Sequence, residues 1–196
     1  MNNKSALFIV DVQNDFCAGG SLEVPGGDEV VPVLNKYIER FSRAHRPIFA
    51  SRDWHPEKTI HFKEYGGPWP PHCIQGTKGA EFHPDLRLPA ETEIISAGME
   101  YESHGYSAFE GVDSQGRDLA TALREEGIEA LYVGGIATDY CVIHTVLDAL
   151  KESFRVTLLE DAIRGVDEKG SVDAIEQMVK AGAELATFQD VERAAA

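Results

Sequence analysis

The segment ALYVGGIATDYCV, residues 130–142, indicates the fold class most directly, because it joins an apolar run to an amphipathic one. The run ALYVGGIA (130–137) predicts a buried β-strand, and TDYCVIHTVLDALKES (138–153) has the apolar spacing of a helix. A strand that leads into a helix is the repeating unit of a parallel α/β sheet. Cys141 falls in the first turn of this helix, where the helix dipole favours a thiolate. Cys141 is therefore a candidate nucleophile, and the alternative is a small buried side chain at a helix start.

Strands and helices alternate along most of the remaining chain. Short β-branched runs predict further buried strands at 6–12, 46–52 and 155–161, with weaker candidates at 92–97 and 184–188. Amphipathic patterns predict helices at 29–44, 118–127 and 171–182. We therefore expect one doubly wound α/β domain over residues 1–196, with helices on both faces of a parallel sheet. Residues 53–91 interrupt the alternation as a long insert rich in Pro, Gly, His and aromatic residues, and such loops are usually functional.

Composition restricts the classes of partner. With a formal net charge of −15 over 196 residues, the chain lacks the basic surface that nucleic acids and anionic membranes require. No apolar segment approaches the roughly 20 residues of a membrane-spanning helix, and Asp11 comes too early for the apolar part of a signal peptide. Three cysteines are an odd number, which argues against a disulfide framework. We therefore expect a cytoplasmic protein.

Three chemically active residues follow predicted strands. Asp11, Asp53 and Cys141 each stand at or just after the end of an apolar run. In an open parallel sheet, ligands bind beyond the carboxyl ends of the strands. An acidic residue alone could simply cap a turn, but a base beside a cysteine can take its proton as the sulfur attacks. Thr138 or Asp139 is predicted to cap the following helix, whose free N–H groups could hold an oxyanion.

The insert contains a possible metal site. Asp53, His55 and His72 supply one oxygen and two nitrogen ligands, a set favoured by zinc, manganese or iron, and His61 is a possible fourth ligand. Solvated loop histidines are the alternative. The other histidines are interpreted as surface or structural residues: His45, His83, His104 and His144.

Three aromatic residues could form a flat slot beside these groups. They are Phe16, Trp69 and Tyr106. Core packing is the ordinary explanation for Phe16 and Tyr106. Trp69 lies among prolines and glycines, where core packing explains it less well.

Five segments, in unbroken order from about residue 6 to residue 165, resemble one known family. IVDVQNDF, SRDWHPEKTIHF, WPPHCIQGTKG, YSAFEG and GGIATDYCV are together similar to the nicotinamidase branch of the isochorismatase-like cysteine hydrolases. The resemblance implies a three-layer α/β/α fold with a six-stranded parallel sheet of order 3-2-1-4-5-6. It also implies hydrolysis of nicotinamide to nicotinate and ammonia in NAD salvage, activity on pyrazinamide, and a homo-oligomer.

The resemblance implies a role for each candidate residue. Asp11 matches the general base and Cys141 the nucleophile, with the N–H groups of Ala137 and Cys141 at the oxyanion. The bond Ile136–Ala137 matches a cis peptide. Asp53, His55 and His72 match the ligands of one divalent ion that contacts the pyridine ring, and His61 matches a ligand in some members. The aromatic slot around the ring is matched by Phe16, Trp69 and Tyr106.

One position departs from the family pattern. The family has a catalytic lysine at the end of the third strand, where this chain has Ala97, and no lysine lies between Lys78 and Lys151 to replace it. A cation near Asp11 and Cys141 would stabilise the thiolate by about 1–3 pKa units and orient the Asp11 base, so we expect impaired turnover without it. Either the chain is a natural member with altered chemistry, or a lysine has been replaced in an otherwise complete enzyme. The intact motifs favour the second explanation.

Two other functions stay open at this point. The chain could hydrolyse another small amide or ureido compound, in which case activity would not require the metal. It could also bind nicotinamide or nicotinate without catalysis. An unreactive Cys141 would favour that second alternative.

Overall fold

The central element is a six-stranded parallel sheet. The computed structural model describes residues 4–193, and the sheet has the order β3-β2-β1-β4-β5-β6. This confirms the predicted strand order. The strands are β1 Ser5–Val10, β2 Ile48–Asp53, β3 Glu93–Ala97, β4 Ala130–Ile136, β5 Arg155–Arg164 and β6 Glu184–Ala186.

Helices cover both faces of the sheet. They are α1 Val30–Arg43, α2 Leu119–Glu125, α3 Ile143–Lys151, α4 Glu168–Ala181 and α5 Phe188–Arg193. Alternate residues of β1 belong to different cores: Phe8 packs with α2, α3 and α4, whereas Leu7 packs with α1 and α5. Because both faces of the sheet are covered at its centre, β1 is buried along its whole length and apolar from Ala6 to Val10. None of the helices within residues 4–193 is long and apolar enough to cross a membrane.

The last predicted strand is shorter than expected. The run 184–188 was predicted as a strand, but β6 ends at Ala186 and Phe188 begins α5. The reason is a local cap: the Thr187 N–H donates to the Asp190 carboxylate at 2.9 Å, and the Asp190 N–H donates back to the Thr187 carbonyl at 3.0 Å. Such a cap satisfies the first amides of a helix and stops the strand.

The insert between β2 and β3 returns to the carboxyl edge of the sheet. Its helical segments are the short 3₁₀ turns Lys63–Tyr65 and Lys78–Ala80, and isolated β-bridges pair His55 with Ile74 and Phe62 with Trp69. Gln13, which is fully buried, ties it down: its Nε2 donates to the carbonyl of Asp53 at 2.8 Å and to that of Ala80 at 2.9 Å. The insert therefore forms one wall of the crevice above β1 and β4.

Candidate active site

Asp11, Asp53 and Cys141 meet at the carboxyl edge. Asp11 follows β1, Asp53 ends β2 and Cys141 follows β4, three adjacent strands of the sheet. One carboxylate oxygen of each aspartate and the Cys141 sulfur all lie within 4.8 Å of one another. All three residues are buried. The structure therefore brings together the acid and the thiol that the sequence placed at strand ends.

The pKa of the Asp11 carboxyl group is raised. Burial raises its pKa to about 8, the charge of Asp53 adds to the rise, and hydrogen bonds from Ser51 and Cys141 oppose it. The Ser51 hydroxyl donates to Asp11 Oδ1 at 2.7 Å. Ser51 was not predicted as a site residue. The available signal was its position two residues before Asp53 on a buried strand, because alternate strand residues face the same side.

Cys141 lies in a single π-helical turn, Thr138–Val142, that precedes α3. The peptide bond between Ile136 and Ala137, just before this turn, is cis. Burial raises the pKa of the Cys141 thiol well above its usual value, and the charges of Asp11 and Asp53 raise it further. The helix-start position alone therefore does not make the thiol acidic.

The predicted capping of this turn was wrong. Neither Thr138 nor Asp139 caps it through a side chain. Asp139 instead accepts hydrogen bonds from the backbone N–H groups of Val166 at 2.9 Å and Asp167 at 3.0 Å. Asp139 thus fastens the turn that carries Cys141 to the loop between β5 and α4.

Ala97 faces the acidic cluster without supplying charge. It ends β3 in register with Asp53, so the two side chains point to the same face of the sheet. Ala97 is buried. Besides burial, the groups that set the pKa of Asp11 are Asp53, Ser51 and Cys141, and none of them is a cation.

The histidines beside Asp53 have the hydrogen bonding of metal ligands. Nδ1 of His55 lies 3.0 Å from the Gly98 carbonyl, and Nδ1 of His72 lies 2.8 Å from the Pro70 carbonyl. A carbonyl only accepts, so each Nδ1 carries the hydrogen and each Nε2 keeps a lone pair. Both Nε2 atoms face Asp53 Oδ2, at 3.4 and 3.6 Å.

Two buried atoms of this group lack a partner. Asp53 Oδ1 and His55 Nε2 make no hydrogen bond. Buried lone pairs without donors are costly unless an ion satisfies them. Ring nitrogens of His55, His61 and His72 also lie within 4.8 Å of one another. The oxygen and nitrogen donors fit a divalent metal ion.

A second group of possible ligands does not have the hydrogen bonding of a metal site. Cys17, Asp28 and His83 also place one ligand atom each within 4.8 Å of the others. Nδ1 of His83, however, accepts the backbone N–H of Asp85 at 3.2 Å, which leaves the hydrogen on Nε2, the atom that faces Asp28 at 3.4 Å. Burial, followed by Asp28, raises the pKa of Cys17 to about 12, so the thiol stays protonated. This cluster is a hydrogen-bond network.

A pocket opens above Cys141 and the histidines. Trp69 Nε1 donates to the Tyr106 hydroxyl at 2.8 Å, and Tyr140, which was not predicted, packs edge-on against Trp69. The three predicted slot residues all line the pocket. Its full lining is Phe16, Leu22, Val24, Asp53, His61, Trp69, His72, Tyr106, Ala137, Tyr140, Cys141 and Val166.

The sequence matches the isochorismatase domain over residues 5–190, so the chain belongs to the isochorismatase family. Within it, the chain groups with nicotinamidases and pyrazinamidases. It is 41% identical over 183 residues to a nicotinamidase/pyrazinamidase of Mycobacterium tuberculosis, covering 92% of this chain and 97% of the relative.

Solved structures agree with this grouping. Pyrazinamidase of Pyrococcus horikoshii in complex with zinc superposes with a TM-score of 0.89 at 46% identity, covering 94% of this chain and 99% of that one. PnC1 from L. infantum in complex with nicotinate superposes with a TM-score of 0.85 at 36% identity, covering 95% and 94%. Both matches span nearly the whole fold described above.

Proposed function

We propose that this chain is a metal-dependent nicotinamidase that hydrolyses nicotinamide to nicotinate and ammonia, and that also accepts pyrazinamide. The observation that carries the proposal is the contact of the Cys141 thiol with the Asp11 carboxyl group beside the aromatic pocket. The names of the similar proteins, and the nicotinate in one similar structure, support the choice of substrate. The contact between thiol and carboxyl group does not by itself identify the amide, and neither does the pocket.

The first half of the reaction forms a thioester. Asp11 takes the proton of the Cys141 thiol as the sulfur attacks the carboxamide carbon. The negative charge then moves to the carboxamide oxygen, and backbone N–H groups of Ala137 and Cys141 are the proposed donors to it. When the C–N bond breaks, Asp11 returns the proton to the leaving nitrogen, and ammonia departs.

The second half of the reaction releases the acid. Water attacks the thioester carbon while Asp11 again accepts a proton. The C–S bond breaks, nicotinate is formed, and the sulfur recovers its proton from Asp11. Ser51 keeps the carboxyl group of Asp11 directed at the thiol through both halves.

The ring is held by the pocket. Asp53, His55 and His72 are the proposed ligands of the divalent ion, and His61 is the proposed fourth. When bound, the ion supplies a Lewis-acidic site for the pyridine nitrogen, which orients the ring. The aromatic side chains of Phe16, Trp69 and Tyr106 provide apolar contacts for the ring.

We further propose that turnover is slow, because no lysine stands at residue 97. Asp11 is buried beside another carboxylate, so its basic form is scarce below its pKa of about 8. The Cys141 thiol is protonated for the same reasons. A cation close to both groups would favour the charged form of each.

The direct experiment loads the protein with zinc, iron or manganese and supplies nicotinamide. The ammonia and nicotinate that form are then measured. Cys141→Ala is expected to abolish product formation. Cys17→Ser is the matched control, because Cys17 is also a buried free thiol but lies in the separate hydrogen-bond network. Product formation by Cys141→Ala at the rate of the unmodified chain would refute the proposed nucleophile.

A further inference from the structure

His61 differs from His55 and His72 in the partner of its Nδ1 atom. That atom lies 3.2 Å from Nδ1 of His104, whereas the same atom of the other two rings faces a carbonyl. A carbonyl only accepts, but a ring nitrogen can donate or accept. The tautomer of His61 therefore depends on the ring of His104.

The surroundings of His61 indicate which ring donates. His61 is 2% exposed, whereas the His104 side chain is exposed. Nε2 of His61 can bind an ion only if it carries no hydrogen, and the hydrogen of the neutral ring must then lie on Nδ1. His104 is exposed, so it can accept that hydrogen on Nδ1 and direct its own Nε2–H to solvent. With an ion on Nε2 of His61, Nδ1 of His61 is therefore the donor and Nδ1 of His104 the acceptor.

We propose that His104 is a positioning residue for the metal site. By accepting the Nδ1–H of His61, it leaves the Nε2 lone pair of His61 free to bind the ion as a fourth ligand with Asp53, His55 and His72. This inference rests on the proposed metal site and not on amide hydrolysis. A stack on Tyr106, with ring centroids 5.8 Å apart and planes inclined by 17°, holds the His104 ring in place.

The test uses metal-free protein and two variants of the same residue. His104→Phe keeps an aromatic ring on Tyr106 but has no acceptor, whereas His104→Asn places an amide oxygen where Nδ1 stands. Zn²⁺ affinity is measured by competition with a coloured chelator, and ligation is followed by the visible spectrum of bound Co²⁺. We expect His104→Phe to bind about 10-fold more weakly, with a Co²⁺ spectrum like that of His61→Ala. His104→Asn should retain the affinity and spectrum of the unmodified chain.

His144→Phe is the matched control. His144 is also exposed and stacks on Tyr106, with ring centroids 5.4 Å apart, so the variant tests the stack without the hydrogen bond. Equal losses in His104→Phe and His144→Phe would overturn the inference, and so would an unchanged affinity and spectrum in His104→Phe. Asp53→Asn tests the metal site itself. If it binds Zn²⁺ normally, the site is wrong, but if it alone loses Zn²⁺, only the role of His104 fails.

Discussion

At residue 97 this chain has an uncharged alanine, where the family pattern has a lysine. The Ala97 side chain points to the same face as Asp53, with which it is paired in register. A lysine at this position would extend its ammonium group into the acidic cluster. It would favour the carboxylate of Asp11 and the thiolate of Cys141 together.

Ala97→Lys is therefore expected to raise kcat/KM for nicotinamide by about 10²- to 10⁴-fold. The pKa of Asp11 lies at about 8, so its basic form grows as the pH rises through that value. A cation lowers this pKa, and the rising limb of the kcat/KM profile should move to lower pH. Ammonia release measured from pH 5 to pH 10 checks both effects.

Ala97→Met is the control for the side-chain volume of lysine without its charge. It should leave the pH profile in place and produce no gain in rate. If the methionine and lysine variants behave alike, residue 97 does not act on Asp11 through charge. Residue 97 would then not correspond to the position of the family's catalytic lysine.

Gly98 permits the close approach of the β3 end to His55. A Cβ atom at Gly98 would lie 2.4 Å from His55 Cε1 and 2.6 Å from its Nδ1. Gly98→Ala should therefore displace the ring and weaken Zn²⁺ binding by at least about 10-fold. The measurement is chelator competition with purified protein.

Gly127→Ala is the matched control, because both glycines have φ +69 but nothing lies within 4 Å of a Cβ atom at Gly127. Both variants carry the same backbone cost, about 1–2 kcal/mol for a left-handed alanine. Only Gly98→Ala should lose metal. Comparable Zn²⁺ losses in the two variants would contradict the steric explanation.

At the scale of elements, Asp139 connects the turn bearing Cys141 to the loop before α4. Asp139→Ala leaves the N–H groups of Val166 and Asp167 without their acceptor, so we expect it to lower the free energy of unfolding by about 1–3 kcal/mol. Urea denaturation measures this loss. Asp139→Asn retains one acceptor oxygen and should lose less. An alanine variant as stable as the unmodified chain would show that water replaces the carboxylate.

The strands at the centre of the sheet could be predicted because burial on both faces produces continuous apolar runs. β1 and β4 are such runs, and their ends locate Asp11 and Cys141. β6 and α5 were harder, because the reciprocal bonding of Thr187 and Asp190 overrides the β-propensity of a short run. Local capping cannot be read from periodicity alone.

The remaining site residues depend on contacts between distant segments. His61 and His104 are 43 residues apart, and Gln13 and Ala80 are 67 residues apart. Composition and spacing give no signal for such pairs. The proposed metal ligands were easier to predict, because Asp53 and His55 lie next to a strand end whose position the apolar pattern already predicts.

At the scale of the whole molecule, the proposed ion would join the insert to the sheet. Asp53 belongs to β2, whereas His61 and His72 belong to the insert. Zn²⁺ at about 100 times its Kd should therefore raise the free energy of unfolding by about 2.7 kcal/mol. Urea denaturation with and without Zn²⁺ measures the increment.

Asp53→Asn should remove this Zn²⁺-dependent stabilisation. His83→Gln should retain it, because His83 belongs to the network whose tautomer leaves no lone pair for an ion. Metal analysis should accordingly find one ion per chain. A second ion that disappears in His83→Gln would contradict the tautomer assigned to that ring.

The hydrogen bond between Trp69 and Tyr106 gives the molecule an optical reporter. The chain contains two tryptophans, Trp69 in the pocket and Trp54 beneath the Arg52 guanidinium at 3.7 Å. In a Trp54→Phe background, all indole emission would come from the pocket wall. Fluorescence titration would then follow the filling of the pocket in real time, and it would measure dissociation of a pyridine separately from its turnover.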